Sequence, residues 1–449
     1  MSTANLPNYE SELANPLNRA PSYSVEPNDF ERRIALADRL RTRPTGTFVK
    51  ESKGGGVRLR LKAQEDNIQL PVYGVADHVS GTIELSKTES VTCVEVKIEG
   101  KLHLKEVAEG GTATATLVLD TATLWFKDSV NPTCPSSLDF SLALPTTFEY
   151  ENQTYRLPPT FDVKLSGLPG FVATIDYSVT AIVTKPHGVP LPKVNSKALG
   201  LHIGTSIAST PFVYFPRSKP LEPIPLPLRH RDSGFGDSGF ESSPDWKVFQ
   251  FVLPSVANTR PDISVKLYLP ASRIFSMTMS IPFHLSLESS AVSLAAFLPL
   301  SPISSNPLSR KVTRIQLMRQ TVVDVRNAVL HGVKTDIWRV DCIGEGVFRH
   351  AGDDNTHISF SGEIPLDPKA IKVPGFKAAG LQVKDCILFT VTPLEAQKNV
   401  FVPLREVIPV KMVTDPWTPN GTGIGAERAA ALHWDSPPTP PTPPSETAR

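Results

Sequence analysis

Asp237-Ser238-Gly239-Phe240-Glu241-Ser242 places two hydroxyls four residues apart, behind an acid and around an apolar residue. This is the Asp-Ser-Gly-apolar-x-Ser pattern of a phosphodegron, in which two phosphates offer strong charge to an arginine-lined reader. A near copy, Asp232-Ser233-Gly234-Phe235-Gly236-Asp237, precedes it, and a flexible hinge would favour the same Ser and Gly residues. Ser436, Thr439 and Thr442 each stand before a proline and are candidate kinase targets. Arg217-Ser218-Lys219-Pro220-Leu221-Glu222-Pro223 fits a basic-x-x-Pro-x-x-Pro ligand for SH3 domains, but Glu222 and the commonness of the pattern make a stiff spacer the better reading. Nearer the N-terminus, Phe30, Ile34, Ala37 and Leu40 recur at spacings of three and four behind Asn28, a candidate cap, so a short helix is expected over residues 27–43. Arg32, Arg33, Arg39 and Arg41 crowd around its apolar face. A helix of this kind either lies on an anionic membrane or docks on the protein's own body.

Catalytic chemistry finds no comparable pattern. The chain has no Gly-x-Ser-x-Gly elbow, no Gly-x-x-x-x-Gly-Lys phosphate loop and no His-Glu-x-x-His pair. The ten histidines are scattered, and His103 and His284 fall on the polar phase of expected strands, where a solvated imidazole is the ordinary outcome. Asp353 and Asp354 sit in a turn-like stretch with too few oxygen ligands around them for calcium. Cys93, Cys134, Cys342 and Cys386 are far apart, with no Cys-x-x-Cys pair, which suggests neither a zinc site nor a disulfide framework. No catalytic residue, metal or cofactor is therefore expected.

The elements that must carry the motifs follow from composition and period. Proline is 43 of 449 residues, and so much proline does not fit long helices, because it lacks the backbone donor and clashes with the preceding turn. A net charge of +1 gives no whole-protein argument for nucleic acid as a partner. The polar start, MSTANLPNYESELANP, lacks an apolar signal core, and the apolar run 291–303 is too short to span a bilayer, so a cytosolic location is expected. From Val57 the apolar period is two. Val94, Val96, Ile98, Leu102 and Leu104 alternate with charged residues, Gly100 interrupting as a candidate bulge. Leu138 to Leu144, Phe171 to Val183, Phe275 to Leu287 and Ile408 to Val413 repeat the pattern between turn signals. The reading is all-β: two tandem antiparallel β-sandwiches of immunoglobulin-like type over 56–216 and 247–414. They are joined by a Pro/Ser/Gly-rich linker at 217–246 and flanked by disordered tails at 1–55 and 415–449.

Several segments then resemble the arrestin family, and its fungal α-arrestins in particular. Val72-Tyr73-Gly74-Val75-Ala76-Asp77-His78-Val79-Ser80-Gly81-Thr82-Ile83 resembles that family's early strand-turn-strand. Leu157-Pro158-Pro159-Thr160-Phe161 followed by Phe171 to Val183 is similar to its "leucine-proline-proline-x-phenylalanine … isoleucine-x-tyrosine" passage. Ser280-Ile281-Pro282-Phe283-His284-Leu285 and Ile408 to Trp417 resemble the first and last strands of its second domain. The resemblance implies arrestin-type sandwiches and a non-catalytic trafficking adaptor. Such an adaptor links a plasma-membrane cargo, such as a transporter, to the WW domains of a HECT ubiquitin ligase for ubiquitination and endocytosis. It implies recruitment from the cytoplasm to the plasma membrane or endosomes. The family's ligase motif is Pro-Pro-x-Tyr, whose prolines pre-set an extended helix and whose Tyr fills a second pocket. Here Leu6-Pro7-Asn8-Tyr9 is a tolerated variant and Ala20-Pro21-Ser22-Tyr23 a weaker one, and no strict copy is present. An arrestin-fold signalling or endosomal sorting scaffold without ligase recruitment is the alternative.

Overall fold

A computed structural model describes residues 45–107, 111–168, 170–186, 204–231, 239–256, 260–303, 312–326, 334–367, 371–392, 400–419 and 423–425. Residues 1–44 of the tail expected over 1–55, and the final residues from 426, lie outside them.

Alternation dictates the first lobe. In chain order its strands are β1 (Gly46–Glu51), β2 (Val57–Gln64), β3 (Val72–Tyr73), β4 (His78–Leu85), β5 (Cys93–Glu106), β6 (Thr112–Phe126), β7 (Ser137–Ala143), β8 (Thr147–Tyr150), β9 (Gln153–Arg156), β10 (Phe161–Leu165), β11 (Phe171–Thr184) and β12 (Thr205–Tyr214). One sheet runs β1-β2-β4-β7 and the other β3-β12-β11-β5-β6, with β10 paired to β11. Val94, Val96, Ile98, Leu102 and Leu104 of β5 turn inward against Leu59, Leu61, Val79 and Ile83 of the opposite sheet, in one core. Each such side chain removed from water contributes roughly 1.5–3 kcal/mol. The β5/β6 ladder shifts register between Gly100 and Lys101, so Gly100 does sit at a bulge. A Cβ there would lie 2.5 Å from the Tyr177 ring and 2.8 Å from Val118, which is why the inward position is glycine. The first strand starts at Gly46, inside the stretch assigned to the tail. It is an exposed edge strand, so it carries no apolar stripe for sequence reading to find.

The second lobe repeats the plan. Its strands are β15 (Trp246–Leu253), β16 (Ile263–Pro270), β17 (Ile274–Ser276), β18 (Ile281–Glu288), β19 (Thr313–Arg326), β20 (Lys334–Glu345), β21 (Val347–Asp353), β22 (His357–Ile364), β23 (Phe376–Ala378), β24 (Leu381–Val391) and β25 (Leu404–Val413). Between the lobes, β13 (His230–Arg231) and β14 (Gly239–Phe240) pair with each other. The second lobe's sheets run β15-β16-β18-β22-β21 and β17-β25-β24-β19-β20, with β23 on β24. Among the described residues the order is that of the first lobe with β21 added at the edge beyond β22 and no counterpart of the β8–β9 hairpin, and each lobe has a short parallel edge pair: β3 with β12, and β17 with β25. The expected sandwiches are thus antiparallel except at those two edges. The continuous alternation from Phe275 to Leu287 is not one strand. It is β17 in one sheet, a turn, and β18 in the other, as β3 and β4 are in the first lobe. The apolar run at 291 opens as a short helix, α1 (Ala291–Phe297), whose first turn is capped where Ser290 Oγ accepts from the Ser293 N–H.

Candidate functional site

Among the described residues a concave feature lies where the lobes meet. The β23–β24 turn places Ala379 and Gly380 at positive φ, and a Cβ on Gly380 would come 2.8 Å from the Asp324 carbonyl. This tight turn carries Ala378, Ala379 and Leu381, with Val323 and Ile337, into the apolar core of the first lobe. Phe161 of β10 meets Phe376 of β23 edge to face, ring centroids 5.2 Å apart. Arg339 donates from Nη1 to the Lys164 carbonyl at 2.8 Å. Beside this contact opens a cleft of about 560 Å³.

Four elements wall the cleft: the start of β6, the β8–β9 hairpin, and the second lobe's β19 and β23–β24 turn. The hairpin turns through Glu151 and Asn152, both at positive φ, the backbone that suits a two-residue turn between right-twisted strands. Phe148 stacks on Tyr155, and the Tyr155 hydroxyl donates to Gln153 Oε1 at 2.6 Å, so the aromatic wall is held in place. Across from it stand Asp324, Lys377 and Gln382. Carboxylate, ammonium, amide and two tyrosines in one groove offer donors and acceptors of both charges beside a few apolar side chains. That chemistry suits an extended polypeptide segment with mixed polarity.

Two segments brace the second lobe. One is a strap from the expected linker, which lies across the outer face of β16, β18 and β22. Trp246 donates its indole N–H to the Leu226 carbonyl at 3.0 Å. The Leu228 N–H donates to His284 Nε2 at 3.1 Å, which leaves the ring hydrogen on Nδ1, 2.8 Å from Ser361 Oγ. Phe240 and Trp246 flank that imidazole with ring centroids at 4.6 and 4.7 Å. His284 is 3% exposed, and burial pushes it down to about 4. The expectation of a solvated histidine is overturned: β18's polar phase faces outward, but the strap covers it.

The second is a clasp between the linker's start and the chain beyond β25. Arg217 grips Asp415 with two hydrogen bonds, its Nε at 2.9 Å. Ser218 N–H donates to Thr414 Oγ1 at 2.7 Å, and that hydroxyl donates to the Ser218 carbonyl at 2.8 Å. Lys219 Nζ donates to Thr418 Oγ1 at 2.7 Å, and Trp417 Nε1 to the Leu221 carbonyl at 3.0 Å. Leu221 N–H donates to the Ile424 carbonyl and Ile424 N–H to the Lys219 carbonyl. The expected tail from 415 therefore begins as an ordered return onto the linker. Arg217 is committed to Asp415 and Pro220 is buried, so 217–223 does not present the free basic and proline side chains of an SH3 ligand.

The other sequence candidates fall as follows. Leu6, Pro7, Tyr9, Pro21 and Tyr23, and the arginines Arg32, Arg33, Arg39 and Arg41, lie outside the described residues. So do Asp237 and Ser238 of the candidate phosphodegron. Its Gly239 and Phe240 form β14, Phe240 packing on His230, Tyr268 and His284, while Ser242 is exposed. Asp354 Oδ1 accepts from Thr356 N–H, Thr356 Oγ1 and His357 N–H, and the Thr356 backbone bond holds it down at about 2. It is a turn former. Sequence reasoning missed the cleft, because its walls are scattered from Thr112 to Gln382 and carry no motif. Among the described residues no helix is long and apolar enough to cross a membrane. No protein-family model and no curated protein matches this chain.

Proposed function

We propose that the chain is a non-catalytic trafficking adaptor of the arrestin type, which binds an integral membrane cargo such as a transporter and brings it to a HECT ubiquitin ligase. The observation that carries this reading is the cleft between two lobes of similar strand order, walled by both. A groove shared by two sandwiches is a surface for holding a chain segment, and its mixed polarity suits a cytoplasmic loop or tail of a membrane protein. The resemblance of the Leu157–Phe161 and Ile408–Trp417 segments to arrestins supports the same class. In this reading Leu6 to Tyr9, with Pro21 and Tyr23 as a weaker second copy, engages the WW domains. Arg32, Arg33, Arg39 and Arg41 add contact with an anionic leaflet, and the protein moves from cytoplasm to plasma membrane or endosome.

The test is binding of the full chain to the WW domains of a HECT ligase, beside Tyr9→Ala and Tyr23→Ala. Binding lost in Tyr9→Ala is the expected result. No binding by the wild type would remove the ligase route and put the sorting or signalling scaffold first. Cargo binding is tested separately, through Lys377→Glu and Tyr155→Ala in the cleft, each expected to weaken capture of transporter tails without altering WW binding.

A further inference from the structure

Thr418 stands directly before Pro419, and residues 416–418 belong to no strand or helix. A residue before proline is biased toward extended backbone, the form in which a proline-directed kinase binds its substrate. The hydroxyl of Thr418 already accepts from the Lys219 ammonium at 2.7 Å. On its N-terminal side Trp417 is tied to the Leu221 carbonyl, and Asp415 to Arg217. A phosphate on Thr418 would thus be made next to a cation of the linker, not in open solvent.

We propose that Thr418 is a phosphorylation site and that Lys219 reads its phosphate, locking the clasp between the linker and the C-terminal segment. In the transfer, Thr418 Oγ1 forms a bond to the γ-phosphorus of ATP. The bond from that phosphorus to the ADP oxygen breaks, and the hydroxyl proton passes to the kinase's base. A neutral acceptor facing Lys219 is replaced by three oxygens carrying between one and a half and two negative charges, about the value for phosphothreonine at pH 7. The Lys219 bond becomes charge-assisted at both ends, the strong class of hydrogen bond. Asp415, three residues earlier, does not oppose this, because Arg217 already balances its charge through two bonds. Lys219 belongs to the segment leaving the first lobe and Thr418 to the segment leaving the second, so the added attraction tightens the junction between the lobes. The inference stands independently of the adaptor reading.

The Leu221 and Ile424 amides report on the clasp directly, since both are donors within it. Their hydrogen exchange is compared in the full chain, in the full chain carrying phosphothreonine installed at 418 during translation, and in the same phosphoprotein with Lys219→Met. Exchange at both amides is expected to slow roughly tenfold on phosphorylation, one charge-assisted bond's worth, with the gain lost in Lys219→Met. Equal or faster exchange in the phosphoprotein, or slowing that survives Lys219→Met, overturns the proposal. In a second arm the unmodified chain is treated with magnesium ATP and a proline-directed kinase, and the sites are mapped by mass spectrometry. Phosphate at Thr418 is expected. Labelling confined to Ser436, Thr439 or Thr442, or no labelling at all, also overturns it.

Discussion

His284 shows how one residue's chemistry is set by what lies over it. Its imidazole stays neutral in the fold down to about pH 4, because burial disfavours the cation, whereas in the unfolded chain it takes a proton near 6.5. The unfolded state then binds more protons throughout that interval. Stability is therefore full above pH 6.5 and falls as pH drops toward 4, by roughly 3 kcal/mol for this shift. Urea denaturation from pH 7 to 4 should show that slope in the wild type and lose most of it in His284→Leu. The opposite case is Arg319 and Asp385, 7% and 1% exposed, joined by two hydrogen bonds of 2.8 and 3.0 Å, with a third from Arg319 to the Val373 carbonyl. Asp385→Ala leaves a buried guanidinium unpaired and is expected to cost about 3–5 kcal/mol in urea denaturation, whereas Arg319→Met with Asp385→Leu together should cost much less. Gly100→Ala, which forces a methyl into the Tyr177 ring, is expected to cost about 1–3 kcal/mol by the same measurement.

At the level of elements, the strap is held by the Trp246 indole, the His284 acceptor and the Phe240 ring. Trp246→Ala with Phe240→Ala is expected to free residues 224–243 to protease cleavage at low enzyme concentration while both sandwiches stay intact. The strands were the legible part of this molecule. β5, β7, β11 and β25 bury one face and wet the other, so their alternation reads directly from the chain. β6 is harder to read because its period slips: Leu117 and Val118 are both buried in succession, while Leu119 and Phe126 are exposed, where the ladder with β5 shifts register. β18 misled because its outward residues, His284 and Ser286, are polar by type yet buried by a distant segment. The same holds for the clasp: Arg217 and Asp415 are ordinary charges in sequence, and only the returning chain pairs them. What was illegible, the cleft included, depends on contacts between segments far apart in the chain, which no local period encodes.

For the whole molecule, the first lobe's core extends into the second through Val323, Ile337, Ala378, Ala379 and Leu381. Joint melting is the expected consequence. Phe161→Ala with Phe376→Ala, which removes the ring pair at the seam, should split a single calorimetric transition into two. The clasp has a different consequence, mechanical in kind. It ties the segment entering the second lobe to the segment leaving it, so that lobe is a loop closed at its neck. A pull between the first lobe and the end of the chain passes from Arg217 straight to Asp415, and the second sandwich carries no load until the neck yields. Tension exerted through the C-terminal segment would reach the first lobe without deforming the second.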